Sequence, residues 1–369
     1  VNTTLILMFA IPLLGAVAAW YLNRKELPWF AGPLFALPGM TLIGIVFACS
    51  YGAAVSDTEI WNGQITSKNR VHGTYEQSYE CRCHTEYSGS GKDRTSRRVC
   101  DTCYETHYTV KWSCQSTVGG IGIDSRDSTW QSVYNTPDPA RYSSIAVGDP
   151  ASRSHTYTNY VQAVPESLFN ASPKNLGAKF AGLLPPYPDQ VYDLYRIDRF
   201  LTPGFAFTDV AAWNNDISLL LRELGPKKQV NLIVVVAKTA DASYQYALRD
   251  HWEGVNKNDV VLVIGSTDGQ HMEFVSVLSW TKNELFKVEL ADGVRDVKVI
   301  DRTKILPLVA AQIAKNFERR HMAEFEYLKG QIDPPAWLIW LTVVLLVAGY
   351  GGGALYLNRV AAGTFRGRR

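Results

Sequence analysis

Val230-Asn-Leu-Ile-Val-Val-Val-Ala237 and Val260-Val-Leu-Val-Ile264 are two apolar runs separated by a helical pattern that ends at His251-Trp252. Strand, helix and strand in that order predict a parallel pair joined by a crossover, the nucleus of an α/β domain. A helix is expected ahead of the pair. Asp209 is placed to cap it, its apolar positions include Val210, Trp213, Ile217, Leu220, Leu221 and Leu224, and Gly225-Pro226 is the expected stop.

Apolar residues concentrate at the two ends of the 369-residue chain. Thr3 to Leu22, Trp29 to about Ala54 and Ala336 to Leu357 are each near the ~20 residues a helix needs to cross a bilayer. The first run carries no Lys or Arg ahead of it, which favours an uncleaved span over a signal peptide. Arg24 and Lys25 lie between the first two spans, and Arg359, Arg366, Arg368 and Arg369 follow the third. The positive-inside rule puts both segments in the cytoplasm and residues 55–333 outside it, an arrangement expected of a bacterial inner-membrane protein with a periplasmic domain. Gly349 and Gly353 have small-xxx-small spacing, the pattern of close helix packing within the chain or between copies. Membrane lipid and a further copy, or another membrane protein, are the expected partners. The net charge of +2 provides no electrostatic case for nucleic acid.

Residues 55–165 read as a β-rich module. Tyr108-Thr-Val-Lys-Trp112 and Thr156-Tyr-Thr-Asn-Tyr-Val161 alternate, Gly119-Gly-Ile-Gly122 marks a turn, and Pro137, Pro139 and Pro150 divide the module into short pieces. Cys81, Cys83, Cys100 and Cys103 flank the polar, basic stretch Ser88–Arg98, as in a hairpin pinned at its base by two cysteine pairs. Two chemistries fit. Four thiolates could hold a structural zinc, with His84 or His107 as substitutes. An oxidising compartment would instead join them as disulfides, leaving one of the five, with Cys114 counted, unpaired or bonded to another chain. Asp124, Arg126, Asp127 and Arg153 suit turn and surface duty better than a polar site. A linker spans residues 166–190; its Asn170-Ala-Ser172 formally matches a glycosylation acceptor.

The helix from Trp213 to Leu224, the strand ending in Val234-Val-Val236, the helix carrying Tyr244–Trp252 and the strand Asn258-Asp-Val-Val-Leu-Val-Ile264 resemble the TPM domain family. Met272-Glu-Phe-Val-Ser-Val277 continues the similarity as a third strand, and Ile305 to Tyr327 as a helix, so that residues 190–330 are covered. The resemblance implies a membrane-anchored extracytoplasmic domain like those of thylakoid-lumen proteins linked to photosystem repair, bacterial anchored proteins and a channel-modulating subunit. It also permits a metal-assisted phosphatase, because some members hold divalent ions on acidic loops. Here Asp241, Asp259 and Asp268 stand near the matching strand ends, while Lys257-Asn258-Asp259 departs from the family's acidic-Asn-Gly pattern and its lysine would oppose a cation.

The expected chain is an α+β membrane protein. Two N-terminal transmembrane helices occupy residues 1–54, the Cys-stapled β module 55–165, a TPM-like α/β domain 191–330, a third transmembrane helix 336–357 and a basic tail 358–369. No phosphate-binding glycine loop, HExxH helix or nucleophile elbow supports an enzyme independently. The expected function is a non-catalytic anchored module that organises or modulates a membrane complex. The alternatives are the phosphatase and, from the Ser152–Tyr160 stretch, an accessory structural membrane protein of a virus or phage.

Overall fold

The computed structural model describes residues 3–22, 31–89, 95–123, 137–164 and 176–366. Helix α1 (Thr3–Leu22) precedes α2 (Ala31–Val55), and α2 passes into strand β1 (Ser56–Ser88) with no intervening residue. β1 pairs antiparallel with β2 (Thr95–Ser116), which turns through Thr117-Val118 into β3 (Gly119–Gly122). After the short helix α3 (Ala140–Ser144), β4 (Pro150–Thr158) pairs with the first nine residues of β1 and completes a sheet ordered β3-β2-β1-β4. The short strands expected here are therefore two long ones, and Gly119–Gly122 is a strand, not a turn. Pro150 heads β4, a position that needs no inward N–H. Asp124, Arg126, Asp127 and Asn170-Ala-Ser172 lie outside the described residues, as do Arg24, Lys25, Arg368 and Arg369.

The second sheet follows α4 (Leu176–Lys179) and has the order β5-β6-β7-β8. After β5 (Phe200–Leu201) comes α5 (Val210–Lys228), and β6 (Asn231–Lys238) is then linked through α6 (Tyr244–His251) to β7 (Asp259–Ser266), parallel to it as the two apolar runs imply. β8 (Phe274–Ser279) returns antiparallel and begins two residues later than expected. Helices α7 (Glu284–Arg295) and α8 (Arg302–Asn316) follow. The expected helix to Tyr327 ends at Asn316 because Phe317 turns extended and buries itself against Phe286; a 3-10 segment, Met322–Gln331, then leads to α9 (Ala336–Arg366). β6 and β7 are buried on both faces, by α5, α7 and α8 on one side and by α6 with the Phe180–Tyr187 strap on the other. That double burial is why both strands read as unbroken apolar runs.

Three helices are long and apolar enough to cross a membrane, over Thr3–Tyr21, Leu34–Val55 and Ala336–Tyr356. Their mutual packing runs through Tyr350, not through Gly349 and Gly353. Tyr350 lies against Gly15 and Gly39 and donates a 2.9 Å hydrogen bond to the Phe35 carbonyl, whereas a Cβ on Gly349 or Gly353 would meet nothing within 4 Å. Close packing within the chain is thus corrected to the other two glycines, whose missing side chains admit the tyrosine ring. Where the apolar helices meet the body, Val55 at the end of α2 shares a cluster with Val161, Val164, Phe325, Leu328 and Ile332, so the body is clamped where α2 leaves and α9 enters.

The two sheets meet where α5 crosses β1. Gly225-Pro226 does not stop α5, which continues to Lys228 and ends at Gln229 in the left-handed region (φ 50). Gly225 serves a different need: a Cβ there would land on the backbone carbonyl of Asn62. Gly225→Ala is therefore expected to destabilise the body by roughly 1–3 kcal/mol, read by denaturant unfolding in detergent, whereas Gly44→Ala, facing open space, should leave the midpoint unchanged.

Candidate functional site: a stapled arm and the junction beneath it

From Val71 to Glu80 every residue of β1 is exposed, and none is fully buried as far as Ser88. Eighteen residues, 71–88, at about 3.3 Å each make a two-stranded arm roughly 60 Å long. Tyr75, Tyr79, Tyr87, Tyr104 and Tyr108 are exposed along it. The register places Val71, Tyr75 and Tyr79 on one face, opposite Lys111, His107 and Cys103, while Tyr104 and Tyr108 lie on the other.

An isolated two-stranded ribbon is marginal in water, and the cysteines answer that. Cys81–Cys103 and Cys83–Cys100 are disulfides, with Cα separations of 5.7 and 4.0 Å. They sit toward the far end of the arm; the expectation of a staple at its base is corrected. C-x2-C on β2 sends Cys100 and Cys103 to opposite faces, but C-x-C on β1 would put Cys81 and Cys83 on one face. Arg82, at φ 48 within a register shift between Cys81 and His84, reverses the second cysteine. The bulge lets both pairs form. Glu80 lies within ligand range of the Cys83 and Cys100 sulfurs, yet both sulfurs share one bond, so the four-thiolate arrangement for zinc is not formed. His84 and His107 instead lie beside Glu86 and Glu105, and Cys114 is buried in the body with a free thiol.

The three aspartates do not converge. Asp241 and Asp268 follow the C-terminal ends of β6 and β7, while Asp259 opens β7 at the opposite end of the strands. Asp241 pairs with Lys179, whose hydrogen bond, with that of the Ser243 amide, holds its carboxyl down at about 2. Asp268 accepts from His271 Nδ1 at 2.6 Å and from the Gln270 and His271 amides, all of which depress its pKa. Asp268 is committed to its own loop, and Asp241 to its own loop and to Lys179 of α4.

Asp259 belongs to a buried junction between the two sheets. Its Oδ1 accepts from Asn231 Nδ2 at 3.0 Å; its Oδ2 accepts from the Asn256 amide and the Tyr187 hydroxyl, each at 2.9 Å. Asn256 and Asn258 donate to the Thr58 and Ile60 carbonyls of β1 at 2.8 and 2.7 Å. The two asparagines share the two-residue period of the strand they hold. Beside them Arg199, 1% exposed, donates to Asn62 Oδ1 at 2.6 Å, to Ser152 Oγ at 3.0 Å and to Asn231 Oδ1 at 3.2 Å. Burial lowers Arg199 to about 9 and pushes Asp259 up to about 7, against the opposing pull of its hydrogen bonds. Asn231 stands between cation and anion, accepting from one and donating to the other.

A second buried charge adjoins it. Glu59, wholly buried, takes two 2.6 Å hydrogen bonds from Arg319 Nη2 and one of 2.9 Å from Trp61 Nε1, with Lys257 Nζ at 3.6 Å and His155 Nδ1 at 3.8 Å. Lys257, whose pKa burial lowers, is the lysine that would have opposed a cation at Asp259; it faces Glu59 and the Tyr157 ring instead. His155 stacks on Trp61 at 3.8 Å. Sequence reasoning missed Glu59, Asn62, Arg199 and Arg319. The one local signal was slight: in Asp57–Ile65 the polar Glu59 and Asn62 flank the apolar pair Ile60-Trp61.

No family model, curated protein or solved structure matches the chain.

The staples and the junction make separable predictions. Replacing all four paired cysteines with serine should weaken the arm by about 3 kcal/mol, less than twice a single bridge because the 83–100 loop lies inside the 81–103 loop. Hydrogen exchange should then accelerate about a hundredfold from Tyr75 to Tyr87 and remain unchanged in β6 and β7. For Asp259, a folded pKa above the ordinary carboxylate value means the folded state binds the extra proton. Its stabilising contribution is complete below pH 4 and is lost as pH rises through 7. Between pH 5 and 8.5 the wild-type protein should lose on the order of 2–3 kcal/mol relative to Asp259→Asn, measured as the difference between the two unfolding curves.

Proposed function

We propose that this chain is a membrane-anchored assembly module that holds out a tyrosine-bearing β arm to organise or modulate a membrane complex. The observation that carries the reading is the arm itself. A strand that leaves a membrane helix without a linker, is gripped at its root by Asn256, Asn258 and Arg199, and then runs some 60 Å unburied is built to present a surface at a distance. Exposed tyrosines suit recognition because each offers a large apolar ring and a polar tip at low cost in side-chain entropy.

The disulfides support placing residues 55–333 in an oxidising compartment, and the basic residues after α9 support a cytoplasmic C-terminus, as in a bacterial inner-membrane protein. The TPM-like reading of the second sheet fits its parallel β6–α6–β7 unit. The phosphatase reading lacks a shared carboxylate site, since Asp259 is buried at one end of the strands and Asp241 and Asp268 stand at the other.

Thr74 and Tyr108 are cross-strand partners just beyond the buried Thr109 and Val110, so an Asn-Gly turn joining them deletes the outer arm and leaves Val110 in the body's core cluster. The shortened protein should insert in membranes and unfold at a midpoint near wild type, while its mass by light scattering in mild detergent falls to that of the single chain. An assembly that keeps its full mass without the arm would refute the reading.

A further inference from the structure

We propose that the arm pairs with the arm of a second copy, β1 against β1, antiparallel about Tyr75. The inference rests on the assembly reading and specifies its surface. Beyond Gln64, among the described residues, no strand pairs with the side of β1 that β4 occupies nearer the body. That side presents a long row of backbone donors and acceptors, with no proline from Thr66 to Ser116 to block an added strand. The register with β2 is regular from Ser67 to Cys81, so this stretch keeps a strict two-residue alternation.

Its sequence is self-complementary about one point. With Tyr75 opposite Tyr75 of the second copy, Val71 falls opposite Tyr79 and Tyr79 opposite Val71, so the half-exposed apolar face of each arm continues into the other. Directly opposed residues approach to about 5 Å between Cβ atoms, close enough for ring contact. On the reverse face the same register sets Arg70 opposite Glu80 twice, and Arg70 can retain Asp138 because a guanidinium has five donors. Neighbouring registers are poorer. Moving the centre one residue toward the tip opposes Glu76 to Glu76; moving it one residue toward the root sets Tyr75 against Gly73 and Val71 against Gln77. The bulge at Arg82 ends the regular stretch just past the pairing and limits it to residues 69–81.

The full-length protein in mild detergent provides the test. Tyr75→Lys puts two like charges on the axis and should shift the dimer–monomer midpoint by at least tenfold in protein concentration, measured by light scattering. Tyr104→Lys, at a more exposed tyrosine but on β2, should leave the midpoint in place. For register, Tyr75→Cys in a Cys49→Ser background should give a disulfide-linked dimer on mild oxidation, and Thr74→Cys, which faces Glu76, should not. Equal effects of the two lysine variants, or equal cross-linking at 74 and 75, would overturn the pairing. An assembly that is lost with the arm but indifferent to Tyr75→Lys would overturn it while leaving the assembly function standing; a wild-type protein that is monomeric throughout would overturn both.

Discussion

The grip on the root of β1 is the interaction on which the rest depends. A strand emerging directly from a long apolar helix and continuing far past the body acts as a lever, and any looseness at the root is magnified at the tip. Asn256 and Asn258 take alternate carbonyls of that strand, and Asn62 returns a hydrogen bond of 3.0 Å to the Val230 carbonyl at the start of the second sheet. Direct backbone capture by side chains holds both position and register, which apolar packing alone does less well because a greasy strand can slide.

Polarity at this junction has an energetic cost that the structure offsets by pairing. Arg199 and Asp259 are both buried and meet only through Asn231; Glu59 has Arg319 in direct contact. A buried charge missing its partner costs several kcal/mol, so these groups penalise any docking of the two sheets except the one that satisfies them. The apolar clusters on either side supply the bulk of the stabilisation. The division of labour explains why the interface tolerates a titrating carboxyl: protonation of Asp259 removes a charge without removing the carbonyl acceptor of Asn231.

The apolar helices show similar reasoning. For helices apolar enough to sit in lipid, water exclusion would not drive association, and shape would have to. Tyr350 filling the spaces over Gly15 and Gly39 supplies that fit, while Gly349 and Gly353 line an open groove beside it with Ala19, Phe35 and Pro38. Spacing alone identifies a smooth helix face; which neighbour meets that face is a question of three dimensions.

Much of the architecture was legible along the chain because it rests on local periodicity. The three helices long and apolar enough to cross a membrane follow from run length, the parallel β6–β7 pair from two apolar runs around a helix, and the two separate sheets from the change in pattern between them. The cysteine spacing left zinc and disulfide open, since C-x-C and C-x2-C serve either; the left-handed Arg82 that brings the four sulfurs into two pairs has no residue signature, being neither Gly nor Asn. The cysteine spacing did point to a hairpin, but not to its length or its exposure, since whether a strand is covered depends on what the rest of the chain packs against it. Tertiary structure alone decided the junction, because Glu59 and Arg319 lie 260 residues apart and Asn62 and Arg199 lie 137 apart, and no local pattern relates residues that only the packing of two sheets brings within 3 Å.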